Sequence, residues 1–129
     1  MQTNLYLLPI QFSFVKRLDI YVPEEKLSEI TGILDDQGVG GISITTIRGK
    51  GKDAHEPVPE MVRSYMTGRK IIPEFVTRLK IEAIVTDNKV KVIVDDLSKL
   101  KLSRGKVFVH DISEAHDVSK QTSGESALD

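Results

Sequence analysis

The segment Gly38–Lys52, GVGGISITTIRGKGK, determines how the rest of the chain is interpreted. Its β-branched stretch Ile42–Ile47 predicts a strand, and alternating glycines and lysines follow at Gly49–Lys52. The next strand is predicted only at Leu79–Val85, LKIEAIV, after the about 25 residues of Asp53–Thr77. A loop of that length in a compact domain is usually functional or disordered. The sequence therefore predicts a small rigid scaffold that presents one long, mostly polar arm.

Composition limits the class of protein. The chain has 129 residues, of which 40% are hydrophobic, and this suits one domain. With 18 basic and 19 acidic side chains, no overall field favours nucleic acid or a membrane surface. There is no cysteine, which excludes disulfides and thiol nucleophiles. The N-terminal stretch lacks a basic start and has only a short apolar run, so we expect no signal peptide, no membrane insertion and a cytoplasmic location.

Two strand–helix units flank the arm. Val15–Val22 is predicted as a strand, and Pro23 is suited to begin the helix that follows it. Gly38 is a suitable C-terminal stop for that helix. Thr86 or Asp87 can cap a second helix, and Lys106–Ile112 forms the last strand. Apolar stripes at helical spacing support both helices: Leu27, Ile30, Ile33 and Leu34 in the first, and Val90, Ile93, Val94 and Leu97 in the second.

This order predicts an α+β fold, a ferredoxin-like βαββαβ sandwich with both helices on one side of an antiparallel sheet. We assign residues 1–14 to an N-terminal extension, 15–112 to the domain and 113–129 to a flexible C-terminal tail. The helices cover only one face of the sheet. A symmetric oligomer that packs sheet against sheet would cover the other face.

The base of the arm has the chemistry of an anion site. Backbone N–H groups around Gly49 and Gly51 can approach a polyphosphate closely because no Cβ intervenes. Countercharge is available from Lys50, Lys52, Arg78 and Lys106. The cluster is neither a Walker loop nor a Rossmann fingerprint. Taken alone, such a cluster is most often a solvated turn.

The arm itself mixes apolar and cationic side chains between Val58 and Ile72. One interpretation is a disordered arm or a hairpin with its own apolar contacts. The functional interpretation is a docking element, in which Arg63, Tyr65 and Arg69 contact a partner protein.

Two His-Asp pairs, His110-Asp111 and His116-Asp117, raise the question of metal-dependent catalysis. Adjacent residues on a strand point to opposite faces, so neither pair forms a ligand set by itself. Glu82 lies between apolar neighbours and is interpreted as a ribose-contacting or ion-paired carboxylate. We therefore predict no catalytic residues, no metal site and no enzyme activity.

Four segments in order resemble the PII signal-transduction family. KRLDIYV precedes a helix, and GVGGISITTIRGKGK is similar to the family's G-x-x-G-M-T-V-T-E-V-K-G-x-G-R. RLKIEAIV is similar to K-V-K-I-E-I-V-V, and SRGKVFVHDI to G-D-G-K-I-F-V. The tail TSGESALD is similar to the family's R-T-G-E-x-x-x-x-A-L ending.

The resemblance implies a homotrimer that binds ATP or ADP, with Mg²⁺, in the clefts between subunits. It also implies that the long arm, the family's T-loop, docks onto a target such as an ammonium transporter or an enzyme of nitrogen or carbon assimilation. By resemblance, the nucleotide-binding residues are Gly49, Lys50, Gly51, Lys52, Ile42, Ser43, Glu82, Ile84, Arg104, Gly105, Lys106 and Lys120. Asp53 and Arg78 occupy the positions of the 2-oxoglutarate site.

This sequence departs from the family pattern at several of the predicted nucleotide and 2-oxoglutarate positions. Asp53 replaces a glutamine that helps to ligate magnesium, and a carboxylate there repels a dicarboxylate, which argues against 2-oxoglutarate. Ser103 and Arg104 replace Gly-Asp, and the tail arginines are represented only by Lys120. Two alternatives stay open. The first is a PII-like sensor that has lost the 2-oxoglutarate response and detects AMP or bicarbonate. The second is a CutA-like structural or metal-related trimer.

Overall fold

The computed structural model describes residues 14–50 and 75–129 of the chain. The elements of the domain follow the predicted order: β1 (Val15–Val22), α1 (Leu27–Asp36), β2 (Ile42–Gly49), β3 (Val76–Thr86), α2 (Asp87–Lys99) and β4 (Lys106–Ile112). A short hairpin, β5 (His116–Asp117) and β6 (Thr122–Ser123), follows in the tail. Single 3-10 turns lie at Glu24–Lys26 and Gly124–Leu128.

The four long strands form one antiparallel sheet in the order β2-β3-β1-β4. The predicted ferredoxin-like α+β arrangement is confirmed. β3 alternates along its length, with Leu79, Ile81, Ala83 and Val85 buried. These side chains share one buried cluster with Ile30 and Leu34 of α1 and with Ile93 and Leu97 of α2. Both helices therefore cover the same face of the sheet.

The opposite face, here called the open face, is not covered by the described part of the chain. Its cross-strand rows follow from the register. One row runs Ser43, Glu82, Asp19, Phe108, and the next runs Thr45, Lys80, Tyr21, Lys106. These two rows of the open face are polar apart from two aromatic rings, whereas the face beneath the helices is aliphatic.

Three element boundaries differ from the predicted ones: the start of α1, the end of β2 and the start of β3. Pro23 precedes a 3-10 turn, and α1 begins only at Leu27. β3 begins at Val76, within the range predicted for the arm, because Val76 and Thr77 pair with Gly49 and Arg48 of β2. Pairing between β2 and β3 at the root of the arm therefore extends each strand past the apolar residues from which it was predicted.

The end of α1 is set by Gly38, as predicted. Its φ of +72° lies in the left-handed region, where glycine has no Cβ penalty. The Gly38 N–H donates to the Asp35 carbonyl at 2.9 Å, and the Val39 N–H donates to the Leu34 carbonyl at 3.0 Å. These bonds satisfy carbonyls that the helix end would otherwise leave without partners.

The tail has local structure around Asp117. Its Oδ1 accepts hydrogen bonds from the Ser119 N–H at 3.0 Å, the Lys120 N–H at 3.1 Å and the Ser119 hydroxyl at 2.5 Å. This is an Asx-type turn, and it reverses the chain between β5 and β6. The predicted flexibility of the tail stays a prediction about its motion.

The Asp117 turn should be sensitive to acid. Hydrogen bonds from Ser119 and Lys120 lower the pKa of Asp117 below its ordinary value of 3.8. A lowered pKa means that the carboxylate stabilises the turn above the unfolded pKa and ceases to do so as the pH falls through the folded value. Asp117→Ala should therefore speed amide hydrogen exchange at Ser119 and Lys120 at neutral pH. Asp95→Ala, which removes an exposed helix carboxylate, should leave those amides unchanged; equal exchange in both variants would contradict this role.

No helix within the described ranges 14–50 and 75–129 is long and apolar enough to cross a membrane.

Candidate functional site

The predicted site residues fall into two groups in the structure. We call Ile42, Ser43, Glu82 and Ile84 the pocket half, since they lie at the start of β2 and near the end of β3. We call Gly49, Lys50, Arg78, Arg104, Gly105 and Lys106 the loop-root half, since they surround the point where the arm leaves the sheet and the turn that leads into β4.

The pocket half opens into a cavity of about 590 Å³. Ile42, Ser43 and Ile84 line it, together with the glycine-rich segment 38–41 and Lys89 from the first turn of α2. Tail residues 125–129 form a further wall. Apolar side chains with a few polar groups suit a flat, partly polar ligand such as a nucleobase.

Glu82 of the pocket half lies outside this cavity. It is directly opposite Ser43 in the sheet register, but its carboxylate faces the open face and pairs with the Lys80 amine at 3.1 Å. The Glu82 carboxylate raises the pKa of Lys80 above its ordinary value of 10.5. Of the two interpretations of Glu82, a ribose contact or an ion pair, the single chain shows the ion pair.

Lys120, the remaining described residue of the predicted nucleotide set, belongs to the tail. Its amine donates to the Asp129 carbonyl oxygen at 3.1 Å. Asp129 lines the cavity, so Lys120 helps to hold the tail wall against the pocket half.

The loop-root half is organised by Arg78. Its Nη1 donates to the Arg104 carbonyl oxygen at 2.6 Å and so ties the start of β3 to the turn before β4. Arg104 has a φ of +58°, an uncommon backbone conformation for a side chain with a Cβ. The Arg48 guanidinium carbon lies 6.0 Å from the centre of the Phe75 ring, a contact between the end of β2 and the residue before β3, where the arm leaves and returns.

Gly105 is required at this turn for a steric reason. A Cβ at this position would lie 2.9 Å from the Leu102 Cβ, an atom that cannot rotate away. Gly105→Ala should therefore lower the free energy of unfolding by roughly 1–3 kcal/mol, the usual cost of overpacking. Gly32→Ala is the matched control, because nothing lies within 4 Å of a Cβ there. Denaturant unfolding of both variants checks this prediction, and equal stability would contradict it.

The two halves lie too far apart in one chain to hold the same mononucleotide. Positions 78 and 84 are six residues apart on β3, and positions 43 and 49 are six residues apart on β2. At the rise of a β-strand, each separation is about 20 Å. A base in the pocket half and its own phosphates at the loop-root half of the same chain would have to span that distance.

Several predicted residues lie outside the described part of the chain. They are the nucleotide-binding candidates Gly51 and Lys52, the effector candidate Asp53, and the docking candidates Arg63, Tyr65 and Arg69. Their roles stay predictions.

In the pair His110-Asp111, the two side chains point to opposite faces of the sheet, as the alternation of a strand predicts. His110 Nε2 lies 2.9 Å from Asp19 Oδ2 on the open face, while Asp111 pairs with Lys16. That pairing raises the pKa of Lys16 above 10.5. Within residues 14–50 and 75–129, no group of three histidine or acidic side chains is placed to hold a metal ion.

Two features of the structure were not anticipated from the sequence. Lys89, in the first turn of α2, lines the cavity of the pocket half. Asp19 is buried on the open face and contacts Arg17 and His110. The available signal was an aspartate between two apolar residues, Leu18 and Ile20, of the central strand β1.

Comparison with known proteins identifies the family. Residues 15–122 match the family model described as nitrogen regulatory protein P-II. Relatives with that name include one from Bradyrhizobium diazoefficiens, 29% identical over 119 residues, covering 89% of this chain and 98% of that protein. Another, from Pasteurella multocida, is 25% identical over 118 residues, covering 88% of this chain and all of that protein.

Solved structures with the same fold include Arabidopsis thaliana PII bound to citrate, with a TM-score of 0.66, 20% identity and coverage of 92% of this chain and 95% of that one. The Bacillus subtilis GlnK-ATP complex has a TM-score of 0.65 at 19% identity and covers 88% of this chain and 97% of that one. The family's name describes a regulator, which confirms the prediction of a regulatory protein over an enzyme. Since the match extends over most of its length, the chain belongs to the P-II family of nitrogen regulatory proteins.

Proposed function

We propose that this chain is a cytoplasmic signalling protein that binds ATP or ADP between its subunits and controls a target protein of nitrogen or carbon metabolism through its long arm. The observation that carries this proposal is the division of the candidate site into two halves about 20 Å apart on the same strands. Two adjoining chains can bring the pocket half of one against the loop-root half of the other. The related GlnK of Bacillus subtilis forms a complex with ATP.

Self-association would also cover the open face. We propose a homotrimer in which the open faces of three chains meet around the symmetry axis. The edge-to-face contact between Tyr21 and Phe108, with ring centroids 5.7 Å apart, supplies aromatic surface on that face. Phe108 is about half exposed in the single chain.

Each half suits a different part of a nucleotide. Ile42 and Ile84 offer apolar contact to a base, and Ser43 offers a hydroxyl. At the loop root, Lys50 and Lys106 supply countercharge for phosphates, and Gly49 and Gly105 permit close backbone approach. Mg²⁺ would be bound with the phosphates and would neutralise part of their charge.

Phosphate binding at the root would control the arm. The Arg78 contact to Arg104 and the Arg48 contact to Phe75 fix the strands between which the arm leaves and returns. A ligand that contacts Lys50 beside this anchor would favour one exit direction of the arm over others. A difference of about 1–3 kcal/mol between ATP and ADP would be enough for useful switching. The docking residues would then be Arg63, Tyr65 and Arg69, on a target such as an ammonium transporter or an assimilation enzyme.

A second candidate function is a PII-like sensor that no longer responds to 2-oxoglutarate and detects AMP or bicarbonate. The observation that favours it is the engagement of Arg78, whose guanidinium donates to the Arg104 carbonyl. An arginine committed to the turn is less able to hold a dicarboxylate, and Asp53 adds a negative charge next to the same predicted site.

Calorimetric titration with ATP, ADP and AMP, each with and without Mg²⁺ and 2-oxoglutarate, separates these functions. We expect ATP and ADP to bind. Binding strengthened by 2-oxoglutarate would support a nitrogen sensor of the usual kind, and indifference to it would support the second candidate. If no nucleotide binds under any condition, the proposal is wrong.

A further inference from the structure

The open face carries a polar cluster centred on Asp19, which none of the proposed binding chemistry uses. The Asp19 side chain is only 6% exposed. Arg17 donates to it twice, from Nε at 3.0 Å to Oδ1 and from Nη2 at 3.3 Å to Oδ2. His110 Nε2 lies 2.9 Å from Oδ2. The Asp19 carboxylate thus has Arg17 of β1 and His110 of β4 as partners.

The remaining charged groups on the open face are accounted for by the neighbouring strands. On β3, Lys80 pairs with Glu82 at 3.1 Å and Arg78 donates to the Arg104 carbonyl oxygen at 2.6 Å. On β4, Lys106 lies two rows from His110. Tyr21 of β1 is the other titratable group and contacts Phe108. The nearby acidic groups are engaged elsewhere: Asp111 pairs with Lys16, and Glu114 pairs with His116 at 3.2 Å.

The charge of this face depends on His110. Arg17, Arg78, Lys80 and Lys106 contribute four positive charges, and Asp19 and Glu82 contribute two negative ones, which gives +2 with a neutral imidazole. Protonation of His110 raises this to +3, and the single charge of Asp19 is already balanced by Arg17. An added charge costs most when the face is removed from water, and symmetry repeats the cost in every subunit.

We propose that self-association through the open face is controlled by pH through the charge of the cluster formed by Arg17, Asp19 and His110. The neutral imidazole donates from Nε2 to Asp19 and is compatible with a buried interface. The imidazolium adds a further positive charge to the face of each chain and drives the subunits apart. This inference depends on the proposed trimer, and because the proposed nucleotide site lies between subunits, bound nucleotide would oppose the dissociation.

Sedimentation velocity of the full chain at about pH 8 and about pH 5.5, on either side of the ordinary histidine range, tests this. The wild type should fall roughly threefold in mass between the two conditions, from trimer to monomer. His110→Gln, whose amide can still donate to Asp19 without a charge, should keep its mass at both pH values. His116→Gln is the matched control, because His116 lies in the tail and pairs with Glu114. It should dissociate like the wild type.

Salt gives a second readout that does not depend on a variant. Because the repulsion is electrostatic, raising the ionic strength at about pH 5.5 should restore the trimer of the wild type. A wild-type mass that is the same at both pH values would overturn the inference while leaving the trimer intact. Dissociation of His110→Gln alongside the wild type would also overturn it. A wild type that is monomeric at about pH 8 would instead contradict self-association itself, and the inference with it.

Discussion

Lys106→Ala should weaken the binding of ATP by roughly 10- to 100-fold, the usual consequence of losing a charge-assisted hydrogen bond to a phosphate. Lys106 begins β4 directly after Gly105, so its position is fixed by the sheet. We expect the loss to be smaller for AMP, which has no β- or γ-phosphate for this lysine to contact. Calorimetric titration of the variant with ATP and AMP measures both effects.

Lys99→Ala is the control for this variant, because it removes the same charge from an exposed site at the end of α2, where Lys99 pairs with Asp96. It should bind ATP as the wild type does. If Lys99→Ala and Lys106→Ala lose the same affinity, Lys106 acts only through net charge and its assignment to a phosphate contact is wrong.

Ile81→Ala should lower the free energy of unfolding by roughly 2–5 kcal/mol, because it removes buried methyl groups and leaves a cavity. Ile81 is 0% exposed and lies at the centre of the cluster between the sheet and both helices. Denaturant unfolding at a fixed protein concentration measures the change, since the stability of an oligomer depends on concentration.

Ile44→Ala provides a control with the same chemistry. Ile44 is the direct cross-strand partner of Ile81, but it lies on the edge strand β2 and is 45% exposed. Its truncation should cost clearly less than that of Ile81. An equal loss of stability in the two variants would contradict the prediction, because it would mean that Ile44 is buried as deeply as Ile81.

Most of the fold was predictable because its signals are local. The apolar stripes of α1 and α2, the alternation in β3 and the glycine at position 38 each specify one element without reference to the rest of the chain. Boundaries were less predictable where pairing decides them. β3 begins three residues before its predicted start because Val76 and Thr77 pair with the end of β2.

The candidate site was predictable as a set of residue types but not as an arrangement. The resemblance to the PII family indicated Ser43, Ile84, Arg78 and Lys106, and the strand lengths then place them in two halves. The turn contact between Arg78 and the Arg104 carbonyl depends on tertiary geometry that no local pattern encodes.

The cluster around Asp19 shows the same limit. Its sequence signal, an aspartate two residues after an arginine, is common in exposed strands. Only the register that places His110 beside Asp19 makes it a buried network.

The central claim, that one nucleotide site is built from two chains, can be tested by mixing two defective variants. Lys106→Ala removes a lysine from the loop-root half, and Ile84→Asp places a charge in the pocket half. Each variant alone should bind ATP weakly. Trimers co-assembled from both chains, carrying different affinity tags, contain one junction at which both intact halves meet.

ATP titration of the isolated mixed trimers is therefore the most direct measurement. We predict that binding of wild-type affinity returns at about one site per mixed trimer, although neither parent binds well. If the mixed trimers bind no better than their parents, both halves must act within a single chain, and the inter-subunit site is wrong.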